Sequence, residues 1–184
     1  MIKRLLIGVF ATVLLSAPVL AEGPGWIDAV AVEGGIGDDD VGRFGLSAQF
    51  EWGAKWFAAG DWYLGGYWDL NGSYWDGDDG RSGEDSLFAI GLTPVFRVQP
   101  HSALGGWKPY VEFGVGPHLQ SETGIGNKDF DINFAFGSHL GVGARFGARQ
   151  QYELGFRYQH LSNASIGDSN PGINFSLFRL GYHF

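Results

Sequence analysis

Cysteine is absent from the 184-residue chain, which excludes a disulfide framework, a thiolate metal site and a cysteine nucleophile. Positive charge is scarce: 12 Lys and Arg stand against 20 Asp and Glu, a formal net charge of −8. A nucleic-acid backbone wants a basic surface, so no nucleic-acid partner is expected. Beyond residue 21 no apolar run reaches the ~18–20 residues of a membrane-spanning helix. What the chain does have is aromatic side chains, at 16%, and 31 irregularly spaced Gly, with only 17% charged residues. That combination suits a sheet that bends sharply and meets lipid.

The N-terminus has the layout of an export signal. Lys3 and Arg4 precede an apolar run from Leu5 to Leu15, and Val19-Leu20-Ala21 ends it as a peptidase site would. Residues 1–21 are therefore expected to be a signal peptide and 22–184 the mature domain. An N-terminal anchor helix is the alternative, but the run is shorter than the ~20 residues such a helix needs.

The mature part alternates with period two. Phe44, Leu46, Ala48, Phe50 and Trp52 share one face of a strand, with Arg43, Ser47, Gln49 and Glu51 on the other. The pattern recurs over 58–69, 88–98, 110–119, 134–146, 152–159 and the stretch ending at Phe184, while 26–33 reads as a weaker first strand. These make eight strands, the smallest even number used by single-chain bacterial barrels. The fold expected is all-β: an eight-stranded antiparallel transmembrane β-barrel, multi-pass in a bacterial outer membrane. Its last strand must pair with its first, because an open edge in hydrocarbon leaves backbone groups unbonded.

Outer connections are expected at 34–40, 70–86, 120–131 and 161–172, and inner ones at 53–57, 99–108 and 147–151. The second outer connection, with Asp69 at its root, carries Asp76, Asp78, Asp79, Glu84 and Asp85. It reads first as a solvated loop, with divalent-cation contact to lipid phosphates as the alternative. Parity points Glu51, Asp61, Tyr63, Asp69, Arg97, Glu112, His139, Arg145, Glu153, Arg157 and Arg179 into the barrel. Eight strands leave room for side chains but not a wide pore, so these groups are expected to pair and fill the lumen rather than serve transport.

One stretch departs from the pattern. Phe156 and Tyr158 face lipid, so His160 and Ser162 do too, at the outer end of the seventh strand. Polar groups on a lipid face are costly and need a reason. Neighbours at i and i+2 share a face, an arrangement that suits a general base beside a serine nucleophile. Counting back from Phe184 puts Asn174 on the outer face of the adjacent strand, able to hold the other imidazole nitrogen. Asn163 offers an amide donor for an oxyanion. The plainer reading makes His160 an interface residue and Ser162 the start of a turn; His-x-Ser spacing by itself does not separate the two.

His160-Leu161-Ser162-Asn163-Ala164, with Asn170-Pro171-Gly172-Ile173-Asn174, resembles the signature of the lipid A 3-O-deacylases, outer-membrane barrels often called PagL. The resemblance implies a serine esterase that acts from the outside of its barrel and removes the 3-hydroxyacyl chain ester-linked at position 3 of lipid A. It implies Ser162 as nucleophile, His160 as base, and Asn163 and Asn170 in oxyanion or supporting roles. It also implies a catalytic Glu where this chain has Asn174. Asp168, in the connecting loop, is the candidate substitute acid; Glu153 is rejected because it points inward at the other end of its strand. The implied partners are lipid A, as lipopolysaccharide, and outer-membrane lipids. No metal or organic cofactor is expected, and a homodimer is left open. The alternatives are a non-enzymatic small barrel of structural or adhesive role, and a soluble lipocalin-like carrier, which would need polar outer faces.

Overall fold

The computed structural model describes residues 25–78 and 80–184; the expected signal peptide lies outside the described residues. Eight long strands form the wall: β1 Ala29–Gly37, β2 Gly42–Glu51, β3 Trp62–Asp76, β4 Ser86–Pro100, β5 Lys108–Gln120, β8 Phe134–Phe146, β9 Tyr152–Ser162 and β10 Ile173–His183. Two short strands, β6 Gly124–Ile125 and β7 Lys128–Asp129, form a hairpin within the β5–β8 connection. The wall is closed in the order β1-β10-β9-β8-β5-β4-β3-β2, every pair antiparallel. β1 meets β10 from Ala29↔His183 to Gly37↔Phe175, so no sheet edge faces lipid.

Alternation decides what each face carries. Outward side chains such as Leu46, Trp68, Ile90, Leu92, Val115 and Leu140 are exposed and form an apolar belt. Aromatic rings gather at the end where β1 begins and β10 finishes: Trp52 packs on Phe96 at 5.0 Å, Trp107 on Phe146 at 4.7 Å and Tyr182 on Phe184 at 5.5 Å. Such rings suit the level of lipid headgroups.

The lumen is a packed electrolyte. Among the described residues, Arg43, Arg97, Arg157 and Arg179 are buried with Glu33, Asp69, Glu112 and Glu153, which balances their charges. Arg157 reaches Glu112 and Glu33 at 2.7 Å and Asp69 at 2.8 Å. Arg97 joins Glu112 at 2.7 Å to Glu153 at 2.9 Å, and Arg179 bonds Glu33 and Glu153. Buried ions need this density of partners, because each one left unpaired costs several kcal/mol. Towards the opposite end the filling changes to an apolar plug of Val41, Trp75, Leu87, Ile125, Phe130, Leu161, Ile173, Phe175 and Leu177.

Several expectations are corrected. β3 begins at Trp62 rather than at 58, because Trp56 and Leu64 exchange backbone bonds and turn residues 57–61 back on themselves. Asp61 therefore lies exposed in that turn and not in the lumen. Glu51 stands at the rim, where it pairs with Arg145 at 3.3 Å with its side chain 47% exposed. β3 and β4 continue past the expected root at 70, so the acidic connection shortens to 77–85 and Asn71, Ser73 and Trp75 turn inward. β1 runs from Ala29 to Gly37 rather than from 26 to 33, because its ladder with β10 continues to Phe175.

Arg157→Ala takes one guanidinium partner from each of Glu33, Asp69 and Glu112 and leaves the lumen with an uncompensated negative charge. It is expected to destabilise the barrel by about 3–5 kcal/mol, read as a lower urea midpoint in tryptophan fluorescence; the exposed Arg149→Ala should leave that midpoint in place.

Candidate active site

The end of β9 holds two outward polar side chains over an apolar interior. Leu161 turns into the plug and is 1% exposed. That places His160 and Ser162 on the opposite face, in line with Phe156 and Tyr158. Ile173 and Phe175, both buried in the plug, fix β10 in the same way and turn Asn174 outward between them. Across the ladders His160 lies opposite Asn174 on one side and Ser138 on the other, and Ser162 lies opposite Phe136. Exposed Phe136, Leu140, Tyr158 and Phe178 surround these groups with apolar surface.

Alternate residues of a strand are ~6.6 Å apart along its axis, a gap that imidazole and hydroxyl rotamers can span. Among the described residues the hydrogen bond of His160 runs to Asn174, with Nδ1 and Oδ1 2.9 Å apart. The bond from hydroxyl to imidazole is not formed in this arrangement. Gly172 touches the other edge of the ring. Its φ is +61°, and a Cβ there would stand 2.8 Å from His160 Cε1, so both its backbone and its surroundings require glycine.

Beyond Asn174 stands Asp38, in the turn Asp38–Asp40 that joins β1 to β2. Its Oδ2 accepts two bonds from Asn174, from the backbone N–H at 3.0 Å and the side-chain amide at 2.9 Å. Lys128 of β7 approaches the same oxygen at 3.7 Å. Nothing local in the sequence marks Asp38, which lies 136 positions from Asn174. The available signal was topological: closure with Gly37 opposite Phe175 sets the next residue of the turn beside Asn174.

The other candidates divide. Asn163 is 1% exposed, and its amide donates to the carbonyls of Phe130 at 2.9 Å and Ser169 at 2.8 Å. Its Oδ1 accepts from the N–H of Ser165, where the chain has turned through positive φ at Ala164 and Ser165. With both amide hydrogens taken, the side chain of Asn163 does not stand free as an oxyanion donor; it staples the loop 163–172. Asn170 supports the same loop, accepting the backbone N–H of Asn163 at 3.0 Å. Asp168 is not beside His160. Its backbone N–H donates to Asp131 Oδ2 at 2.8 Å, which turns it towards the β5–β8 connection and leaves its side chain exposed. The carboxylate that connects to His160, through Asn174, is that of Asp38.

Comparison with known proteins bears on what this arrangement serves. The model of a family described as lipid A 3-O-deacylase (PagL) matches residues 42–183. A protein named Lipid A deacylase PagL from Pseudomonas aeruginosa is 33% identical over 153 residues, covering 82% of this chain and 83% of that protein. One of the same name from Bordetella bronchiseptica is 33% identical over 116 residues, covering 63% of this chain and 61% of that protein. Among solved structures, the outer membrane enzyme PagL is similar with a TM-score of 0.76 at 24% identity, covering 85% of this chain and 99% of that one. Neisserial surface protein A is similar at 0.51 and 14% identity, over 89% of this chain and 100% of that one. At those identities the structural likeness speaks for the fold.

Asn163→Ala removes three hydrogen bonds from the loop 163–172, a local loss of about 1–3 kcal/mol. Amide hydrogen exchange is expected to accelerate at Ser165 and Ile166 while β9 and β10 keep their protection; unchanged exchange in the loop would show that the staple contributes nothing.

Proposed function

The chain belongs to the lipid A 3-O-deacylase (PagL) family, whose enzymes work in the outer membrane, and from that membership we propose that it is a serine esterase removing the 3-O-linked 3-hydroxyacyl chain of lipid A in the outer leaflet. The observation that carries the mechanism is the shared outward face of His160 and Ser162, with the far imidazole nitrogen held by Asn174. A site on the outside of a closed barrel meets its substrate laterally, within the leaflet. Acyl chains then lie against the apolar belt beside Tyr158, Leu140 and Phe178, and the ester is held near the headgroup level where the polar pair stands.

The reaction runs through this chain's own groups. His160 Nε2 takes the hydroxyl proton of Ser162 as Oγ attacks the carbonyl carbon of the 3-O ester. The tetrahedral adduct collapses with cleavage of the bond to the sugar oxygen, which takes the proton back from the imidazolium. A water molecule, deprotonated by the same nitrogen, then releases the 3-hydroxy fatty acid and restores Ser162. Asn174 keeps the ring in register throughout. Asn163 and Asn170 hold the loop that follows the nucleophile. An adhesive barrel without activity would share the fold, but would have no use for a polar pair aligned with an amide on a lipid-facing wall.

Mass spectrometry of lipid A from cells producing the protein is expected to show loss of one 3-hydroxyacyl group. Ser162→Ala should abolish it, a drop of at least roughly a thousandfold; a folded Ser162→Ala barrel that still shortens lipid A would end the esterase reading. Gly172→Ala pushes on the ring of His160, and a displacement near 1 Å is expected to slow the reaction by ~100-fold with the barrel intact.

A further inference from the structure

We infer that Asp38 is a positioning residue of this site: its carboxylate fixes which way the Asn174 amide faces and so keeps His160 in the tautomer that can act as a base. The inference rests on the esterase reading above. A carboxylate beside His Nδ1 can only accept, so it demands an N–H there and leaves Nε2 with its lone pair. An amide has no such preference. With Oδ1 towards the ring it selects the same tautomer; rotated by half a turn it offers N–H₂ and selects the opposite one, with the proton on Nε2 and no base facing Ser162.

Asp38 removes the ambiguity. Its Oδ2 stands 2.9 Å from Asn174 Nδ2, and a carboxylate oxygen accepts from an N–H but repels an amide oxygen. The backbone N–H of Asn174 donates to the same oxygen at 3.0 Å, so the carboxylate is itself held by the strand it orients. The amide is thus turned with Oδ1 on His160 Nδ1, at 2.9 Å. The line of bonds runs Asp38, Asn174, His160, and it leaves Nε2 as the nitrogen free to act as the base for Ser162. The negative charge that the family resemblance expects at position 174 is present one hydrogen bond further out. The charged groups nearest this line of bonds are Asp38 and Asp39 from the β1–β2 turn and Lys128 from β7; Tyr158 is the neutral titratable neighbour on β9 itself, and Asp131 and Asp168 lie on the loops beyond without bonding the ring. Lys128, at 3.7 Å and part-exposed, tempers the charge of Asp38 without reaching the amide.

The test compares purified wild-type barrel with Asp38→Ala, Asn174→Asp and the double variant, each checked for folding by heat-modifiable mobility and assayed on lipid A in detergent micelles. Asp38→Ala is expected to lower kcat by roughly 10²–10⁴-fold, the share a positioned general base supplies, with little change in KM. Losing a negative charge near the imidazolium should also move the acid limb of its pH profile to lower pH. Asn174→Asp alone sets two carboxylates against each other and should be impaired. In that background Asp38→Ala should restore activity, because an isosteric carboxylate then bonds His160 directly. The sign of the Asp38 effect thus reverses between backgrounds. ¹⁵N NMR of the imidazole gives a readout free of turnover: Nδ1 protonated in wild type, and a mixture of tautomers in Asp38→Ala. Where Asp38→Ala does not fold, Asp38→Asn keeps the volume without the charge, and the same acid-limb shift is expected. An unshifted acid limb with unchanged tautomer, or an equal loss from Asp38→Ala in both backgrounds, would overturn the inference. Activity surviving Ser162→Ala would instead sink the esterase reading, and the NMR result would still decide the role of Asp38.

Discussion

The backbone pairing of β1 with β10 is the constraint on which everything else in this molecule rests. A sheet in hydrocarbon cannot keep an open edge, since each unbonded N–H or C=O there costs several kcal/mol. Closing the ladder from Ala29↔His183 to Gly37↔Phe175 satisfies those groups. It also sets the barrel's diameter, and therefore how much must fit inside it. With eight strands the interior accepts side chains and little else, and the buried arginines and carboxylates fill it as a neutral lattice.

The same closure builds the outer wall of the site. Asp38 and Asn174 belong to opposite ends of the sequence, and they touch because the first turn of the barrel is sewn to the top of its last strand. The apolar plug acts from within. Leu161, Ile173 and Phe175 are held inside, so the residues between and beside them have no choice but to face out. Chemistry on a lipid-facing wall thus depends on packing in the lumen behind it. The energetic asymmetry is plain: burying three large apolar side chains stabilises by about 1.5–3 kcal/mol each, enough to hold a His, a Ser and an Asn at the membrane boundary.

In the proposed reading, the orienting residue at position 174 is uncharged. An amide can select either ring tautomer, whereas a carboxylate selects one. On the inference drawn for Asp38, a neighbouring acid resolves the competition through geometry rather than through direct contact with the imidazole. The role assigned by family resemblance and the role available in space then differ by one residue in the chain of bonds.

Alternation, the signs of the inward charges and the His-x-Ser pair were all legible in the amino-acid order, because a strand's period of two assigns each side chain to a face without reference to the rest of the molecule. That is why the number of barrel strands, the burial of Arg97, Glu112 and Arg157, and the outward course of His160 and Ser162 could be stated from the residues alone. Strand ends were less legible, as at Asp61 and Asn71, because a ladder stops where its partner's bonds run out and not where a pattern fades. The partners of Asn163, Asp168 and Asn174 were decided only by the tertiary structure. Each lies in or beside a loop, where direction depends on which distant backbone groups arrive, and no period in the chain encodes that Asp38 and not Asp168 is the acid that meets Asn174.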